Sequence, residues 1–348
     1  MAPPNRPITL QDIANRTGYA RSTVSLALRN HPSIPEATRE RIQQAAEELH
    51  YRPNPLVAAL MSQLRDQRCT HKEHLALICR FSQKLPHHRT TGAFYNTLYA
   101  AILEHAERQG LGVDEFYLGR EELSDQRLSR ILISRNIHGV IFFPGSDDTR
   151  SEYPELDWDY FATVLIGYNT TRQNLHQVAS NYTYDIDHAI QRVQAAGLQR
   201  IGFVISESTN RSTDEAWLSR YLLDQFRRPA SHRIPPHLPQ SNEFAPADLL
   251  AWYHKYRPEV ILIAGDKVAT LLTEAGIAIP RDVRLINLVQ RGEPGLAGID
   301  PHTDEVGRAT IGMLSSLLQS NRMGEPDFPQ SIAIKGHWVP GASFPEGV

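Results

Sequence analysis

The sequence contains few cysteines and no long hydrophobic run. Its 348 residues include only Cys69 and Cys79, too few for a disulfide framework, which favours reduced thiols in the cytoplasm. No stretch of about 18 apolar residues is present that would span a membrane. The first ten residues, MAPPNRPITL, lack the basic and apolar regions of a signal peptide. These absences predict a soluble cytoplasmic protein.

Motifs of nucleotide binding and hydrolysis are also missing. The sequence has no G-x-G-x-x-G or Walker A pattern in a strand-to-helix turn, no G-x-S-x-G elbow and no H-E-x-x-H. His87 and His88 stand beside Arg89 without further ligands at metal-binding spacing. No cofactor, no metal and no catalytic constellation are therefore expected.

The charges are divided unevenly along the chain. Residues 1–68 carry a net charge of +3, with nine arginines, no lysine and six acidic residues, whereas the remainder carries −6. The length is compatible with two or three domains. A basic head on an acidic body is compatible with nucleic-acid binding at one end.

The first fifty residues have the pattern of three short helices. Thr9 and Asp12 have the spacing of a helix start, and Gly18 suits the tight turn that follows. A third helix opens at Pro35 and Glu36. Each predicted helix has one apolar stripe, listed here in chain order: Leu10, Ile13 and Ala14; Val24, Ala27 and Leu28; Ile42, Ala45, Ala46 and Leu49. Such stripes can be buried only against one another, which predicts a helix-turn-helix arrangement.

The second helix has an outward face that allows two interpretations. The residues that point away from its apolar stripe are Arg21, Ser22, Ser25, Leu26 and Arg29. Plain solvation explains such a face on many amphipathic helices. If this is a recognition helix, its first residues face base edges in the major groove, where Arg21 could bond a guanine. Leu26 is then an unusual apolar residue on a reading face.

A fourth helix is predicted directly after the head. Asn54 is a good N-cap, and Pro55 is suited to the first helical position. The segment that follows, LVAALMSQLR, is apolar over most of its girth, and a helix this short is marginal alone in water. It needs a partner.

Beyond residue 73, apolar runs of strand length alternate with segments of helical periodicity. Examples are the strands HLALICRF (74–81), HGVIFFP (138–144) and EVILIAG (259–265), and the helix DIDHAIQRVQAAG (185–197). This alternation indicates parallel sheets in two α/β units.

The head resembles the DNA-binding domain of the lac repressor (LacI/GalR) family of bacterial transcription regulators. The resemblance lies in TLQDIANRTGYARSTVSLALRN followed by IPEATRERIQQAAEELHYRPN. It implies that Arg21, Ser22 and Leu26 read bases. It also implies further DNA contacts by Thr9, Thr23, Ser25, Arg29, Thr38, Tyr51 and Asn54, mostly with the phosphate backbone.

The segment after the head resembles the family's hinge helix. That helix folds on specific DNA, pairs with its twin and inserts a leucine, here Leu60, into a minor-groove step. The head departs from the family at three places: Ala20 stands where a serine cap is usual, Leu26 replaces an often polar reader, and Val57-Ala58 replaces alanine followed by a polar residue. The last two departures concern the operator sequence.

The body resembles the family's periplasmic-binding-protein-like effector domain, with two doubly wound lobes. The matching segments are AAGLQRIGFVIS, ILIAGD and AIPRDVRLINL…AGIDPHTDEVGRATIGML. The resemblance implies a helix-turn-helix domain at 1–52, a hinge helix at 53–66, a linker at 67–73 and the effector and dimerisation domain at 74–348. Lobe 1 is expected at about 74–172 and 302–331, and lobe 2 at about 173–301 and 332–345.

Effector-binding candidates lie at the predicted strand ends, where ligands bind in such sheets. They are Arg80, Tyr95, Arg211, Trp217, Asp266 and Gln290. Several have a second interpretation: Asp266 also suits a helix cap, Arg211 a solvated loop, and Trp217 either a sugar face or the core. Gln290 replaces an aspartate frequent nearby in the family, a departure that allows a ligand other than the best-known sugars.

The resemblance implies a ligand-responsive transcription factor, expected to be a repressor. It would bind a pseudo-palindromic operator as a homodimer, under control of a sugar-like effector. Two alternatives remain. A solute-binding or sensor protein without a DNA role is disfavoured by the head, and an enzyme on an α/β scaffold lacks catalytic residues.

Overall fold

The N-terminal head consists of three helices around a small apolar core. In a computed structural model of the chain, α1 spans Leu10–Thr17, α2 spans Arg21–Ala27 and α3 spans Glu36–Glu48. The buried residues are Ile13, Ala14, Val24, Ala27, Ile42, Ala45 and Ala46. Gly18, with φ of +77°, makes the turn between α1 and α2. The three predicted helices are confirmed, and Leu28 and Leu49 of the predicted stripes pack, partly buried, against this core.

The structure describes residues 10–28, 34–49, 73–81, 84–85, 92–118, 124–146, 153–168, 174–240, 244–290, 292 and 295–345. The predicted hinge helix and nearly all of the linker lie outside these residues. Among the described helices, none is both long and apolar enough to cross a membrane.

The body contains two sheets, and the first is parallel throughout its six strands. The strand order is β10-β5-β4-β3-β1-β2. The bounds are β1 Glu73–Arg80, β2 Leu111–Tyr117, β3 Gly139–Ser146, β4 Ala162–Ile166, β5 His176–Ser180 and β10 Ser331–Ile334. The associated helices are α4 (Gly92–Arg108), α5 (Asp125–Ser134) and α11 (Thr303–Gln319), with a short 3-10 turn at Trp158–Tyr160. Buried apolar clusters cover both sheet faces, as expected for a parallel sheet.

The second sheet has five strands in the order β11-β9-β8-β7-β6, and only β11 is antiparallel to its neighbour. The bounds are β6 Ile201–Val204, β7 Val260–Ile263, β8 Arg284–Asn287, β9 Ala297–Asp300 and β11 His337–Val339. The helices are α6 (Tyr182–Ala195), α7 (Glu207–Ser212), α8 (Ala216–Arg227), α9 (Pro246–Tyr256) and α10 (Lys267–Glu274), with a 3-10 turn at Ala230–His232. The expected pair of α/β lobes is confirmed.

The strand topology moves two of the expected lobe boundaries. Strand β5 lies beside β4 in the first sheet, although residues from 173 onward were assigned to lobe 2. Strand β10 pairs with β5, although residues from 332 onward were also assigned to lobe 2. Lobe 1 therefore extends to about residue 180 and from about 301 to 334, because the register of β5 requires both strands in the first sheet.

Helix α11 lies against α4 with no space for an added methyl group at one position. A Cβ on Gly307 would lie 2.7 Å from the Ala101 Cβ and 3.2 Å from the Ile102 amide nitrogen. Gly312, on the same helix, is exposed and has nothing within 4 Å of such a Cβ. The two glycines therefore separate the effect of packing from the effect of helix propensity.

We expect Gly307→Ala to destabilise the body by about 1–3 kcal/mol, because overpacking a close helix contact displaces backbone. We expect the control Gly312→Ala to stabilise it by about 0.5–1 kcal/mol, since alanine is the better helix former. Urea unfolding followed by circular dichroism measures both changes. Equal effects of the two substitutions would contradict the close contact.

Candidate functional site

Helix α2 has a buried side and an exposed side, and its candidate reading residues are on the exposed one. Val24 and Ala27 are the buried residues of α2. Arg21 and Ser22 are exposed at its first turn, and Leu26 is partly exposed. Val24 and Ala27 thus account for the packing of α2, and Leu26 remains available at the surface.

The start of α2 has the backbone of a capped helix without a capping side chain. Ala20 is the N-cap residue, in extended conformation with φ −64° and ψ 148°, and its side chain makes no cap hydrogen bond. A serine at this place could bond a first-turn amide, which typically stabilises a helix by about 1 kcal/mol.

The other candidate DNA contacts are only partly described. Thr23, Ser25 and Thr38 are partly exposed; the first two lie on α2, and Thr38 lies in the first turn of α3. Thr9, Arg29, Tyr51, Asn54 and Leu60 lie outside the described residues. The described part of the head presents one arginine and several hydroxyl groups around α2, which are groups that bond base edges and phosphates.

At the carboxyl edge of the first sheet, Arg80 and Tyr95 lie among aromatic rings. The Arg80 guanidinium lies 4.2 Å from the ring centroid of Tyr153, a cation–π distance. Tyr95, in the first turns of α4, meets Phe81 edge to face with centroids 5.5 Å apart. Burial raises the pKa of Tyr153 to about 12, so its hydroxyl stays protonated and donates to the Phe143 carbonyl at 3.1 Å.

A row of aromatic residues connects the two lobes. Tyr168 follows β4 in lobe 1, and its ring centroid lies 5.7 Å from that of Tyr182, which opens α6 in lobe 2. The Tyr182 ring lies 5.2 Å from Trp217. Burial raises the pKa of Tyr168, and the nearby carboxylates of Asp214 and Asp185 raise it further.

Trp217 belongs to the core of lobe 2. Its side chain is only 1 % exposed, which favours the core interpretation over a sugar-stacking surface. Its indole nitrogen has no hydrogen-bond partner among the described residues. Tyr168 and Tyr182 are junction residues that sequence patterns did not single out. The available signal was the position of Tyr168 at the end of the apolar run FATVLIGY (161–168), two residues after β4.

The other effector candidates are dispersed over lobe 2. Asp266 is exposed at the N-cap of α10 and makes no side-chain cap. It borders a groove of about 550 Å³ that runs along α10 to Leu296 and Ser343. Arg211 is exposed at the end of α7, with Nε 3.7 Å from a carboxylate oxygen of Glu207, so it is a surface arginine in this arrangement.

Gln290 is a brace of the loop between β8 and β9 rather than an exposed ligand group. Its side chain is 1 % exposed. Its amide nitrogen donates to the Leu296 carbonyl, and its amide oxygen accepts from the Gly292 nitrogen at 2.9 Å. Both ends of the side chain are bonded inside the loop, and a role of Gln290 in effector binding stays a prediction.

The chain crosses between the lobes three times, at about residues 181, 301 and 335, and the first and third crossings are bonded to each other. The Asn181 amide donates to the Ile334 carbonyl at 2.6 Å, and the Gly336 amide donates to Asp185 Oδ1 at 2.8 Å. Asp185 is fully buried. Burial, followed by the nearby Asp300, raises its pKa to about 7 although the Gly336 bond lowers it, so this carboxyl is partly protonated near neutral pH.

Two family models match the chain. Residues 9–54 match "Bacterial regulatory proteins, lacI family", and residues 190–344 match "Periplasmic binding protein-like domain". The first match covers the three head helices. The second begins within α6 and covers the rest of lobe 2 together with the lobe 1 residues at about 301–334.

Curated relatives match over nearly the whole chain. The transcriptional regulator GalR of Lacticaseibacillus casei is 24% identical over 355 residues, covering 96% of this chain and 99% of that protein. The transcriptional repressor PurR of Escherichia coli O1:K1 is 21% identical over 365 residues, covering 97% of each chain. Both are described as helix-turn-helix regulators.

Solved structures share the fold. The lac repressor dimer bound to operator and the anti-inducer ONPF has a TM-score of 0.57 at 16% identity, covering 97% of this chain and 99% of that one. The regulator CelR in complex with cellobiose has a TM-score of 0.56 at 18% identity, covering 97% and 100%.

The head, the two-lobed body and the full-length relatives agree. The matched relatives are transcriptional regulators and not enzymes. The chain is a DNA-binding transcriptional regulator whose head matches the lacI family of bacterial regulatory proteins and whose body matches the periplasmic-binding-protein-like domain.

Proposed function

We propose that this regulator is a cytoplasmic repressor that binds a pseudo-palindromic operator as a homodimer and responds to a small sugar-like effector. The observation that carries the DNA-binding part is the exposed face of α2, where Arg21 and Ser22 are exposed while Val24 and Ala27 hold the helix in the core. A homodimer places two such faces in successive major grooves, about one helical turn apart.

The α2 side chains have separate roles in this proposal. Arg21 bonds guanine in two places, and Ser22 donates to or accepts from a neighbouring base. Leu26 contacts a thymine methyl group or excludes water from a base step. Hydroxyl groups around α2, with Thr9, Arg29, Tyr51 and Asn54 of the adjoining segments, contact the phosphate backbone and set the register.

The connection between head and body carries the signal. Residues 53–66 form a hinge helix on specific DNA, and Leu60 wedges into the minor groove and kinks the duplex. An effector that binds two states of the body unequally shifts the balance between DNA-competent and incompetent arrangements.

The effector cleft lies between the lobes, at the carboxyl ends of the strands. Aromatic rings at Tyr95, Tyr168 and Tyr182 and the charge of Arg80 occupy this junction. Aromatic faces with polar groups at their edges suit the apolar faces and hydroxyl groups of a sugar. Complexes of similar structures support this class, since one relative holds cellobiose and an Arthrobacter regulator of the same fold holds lactose. Asp266 and Arg211 remain candidates at its lobe 2 side.

Removing the head tests the assignment of DNA binding. We expect a chain of residues 65–348 to remain a folded dimer and to lose all binding to the duplexes that the full chain selects from a random pool. Sedimentation gives the oligomeric state, and fluorescence anisotropy gives the affinity. Sequence-specific binding by the truncated chain would overturn the proposal.

Replacing Leu26 tests its reading role. We expect Leu26→Arg to change base preference at one symmetric operator position, from a thymine-containing pair towards guanine, with discrimination of about 1–3 kcal/mol. The control Gln44→Arg adds the same charge on the exposed side of α3 and should strengthen binding without changing the selected sequence. An unchanged sequence preference for Leu26→Arg would show that Leu26 does not face a base.

A thermal-shift screen of mono- and disaccharides on the full chain tests the effector class. A sugar present at 100 times its dissociation constant should stabilise the protein by about 2.7 kcal/mol. We expect Tyr168→Ala to lose this shift and Tyr160→Ala to keep it, because Tyr160 precedes β4 at the opposite end of the strand. No shift with any sugar, or an undiminished shift in Tyr168→Ala, would contradict a sugar site at the junction.

A further inference from the structure

Two histidines and an aspartate meet where the chain crosses between the lobes. Asp300, His302 and His337 each offer a ligand atom, and these atoms lie within 4.8 Å of one another. His302 Nε2 and His337 Nδ1 are 2.9 Å apart. We propose that these three residues form a binding site for a divalent transition-metal ion such as Zn²⁺ or Co²⁺.

The three residues come from different sides of the junction. Asp300 ends β9 in lobe 2, His302 is the N-cap residue of α11 in lobe 1, and His337 opens β11 in lobe 2. An ion held by all three would connect the second crossing of the chain to the third. It would therefore hold the start of α11 against lobe 2.

The two imidazole rings lie closer together than a straight hydrogen bond between coplanar rings would place them. Their centroids are 4.4 Å apart and their planes differ by 24°. Two coplanar imidazoles joined by a straight N–H···N bond have centroids about 5 Å apart, because the hydrogen lies in the ring plane. The two nitrogens are within hydrogen-bonding distance, but the stacked rings place them more side by side than end to end. Two nitrogens that share one tetrahedral ion at Zn–N of 2.0–2.1 Å are about 3.3 Å apart. The two imidazole nitrogens would therefore have to separate by only a few tenths of an ångström to bind the same ion.

The backbone holds His302 in an unusual conformation. Its φ is +50°, in the left-handed region that side chains other than glycine rarely adopt and that is common at functional sites. The Asp300 carboxylate supports this turn, since Oδ1 accepts from the His302 amide at 2.8 Å. The same interaction holds the carboxylate next to the imidazole.

The ligand set selects the class of ion. Two imidazoles and one carboxylate suit zinc and its neighbours, whereas calcium and magnesium prefer oxygen ligands alone. Three protein ligands leave at least one coordination position for water. Asp185 adds a buried carboxyl beside the site, bonded to the Gly336 amide that directly precedes His337.

The experiment is metal binding by the full chain after removal of trace metals with a chelator. Calorimetric titration with ZnCl₂ should show one ion per chain, and Co²⁺ should give a visible absorption typical of nitrogen and oxygen ligation. Zinc should also raise Tm, because it binds the folded chain. We expect His337→Gln and Asp300→Asn each to weaken zinc binding at least tenfold. Removing a residue that only supports a metal ligand typically costs about 10–100-fold in affinity, and removing a ligand itself should cost no less.

Two control variants localise the ion. His254→Gln removes an exposed histidine of α9 and should bind zinc as the wild type does. So should His87→Ala combined with His88→Ala, which removes the adjacent pair. His337 is exposed, so its substitution leaves the core intact. His302→Asn, in which asparagine tolerates the left-handed backbone, removes the third ligand. The proposal is overturned if the wild type binds no zinc, if the ligand variants retain wild-type affinity, or if binding is lost with His87 and His88 instead.

Discussion

The junction between the two lobes is held by hydrogen bonds between the first and third segments that cross it. The Asn181 amide is satisfied by the carbonyl of Ile334, and the Gly336 amide by the buried carboxyl of Asp185. Backbone groups at such a junction are removed from water and cannot stay unpaired without a cost of about 1–3 kcal/mol each. The first and third crossings therefore satisfy each other's backbone groups on both sides of the junction.

The head follows a simpler logic. Seven small or branched apolar residues form its core, which is near the minimum for three short helices. Because Val24 and Ala27 suffice to hold α2, its other positions are released from packing and can vary with the DNA sequence. The packing of α2 therefore does not require Leu26, which is only partly buried.

Local patterns predicted the elements that are defined by neighbouring residues. The apolar spacing in α2 and α3, and the strands around Leu77 and Ile261, are contained within ten residues of sequence. The assignment of β10 to the first sheet was not predictable in this way, because its pairing with β5 joins residues more than 150 positions apart. The contacts of Tyr168 with Tyr182 and of His302 with His337 depend on how the chain turns between the lobes, which local periodicity does not describe. The burial of Gln290 likewise depends on a loop without periodicity.

The contact at Gly307 determines how motion passes through lobe 1. Helix α11 begins at the crossing and lies so close to α4 that a methyl group has no room between them. Because the two helices are in direct contact, a displacement of α11 is passed on to α4. Gly307 meets Ala101 and Ser315 meets Gln109, so the two helices run parallel and Tyr95 lies near the same end of the pair as the crossing. Tilting α11 at the crossing therefore moves the start of α4, and with it the ring of Tyr95. The crossing and the carboxyl edge of the first sheet are coupled through this single helix contact.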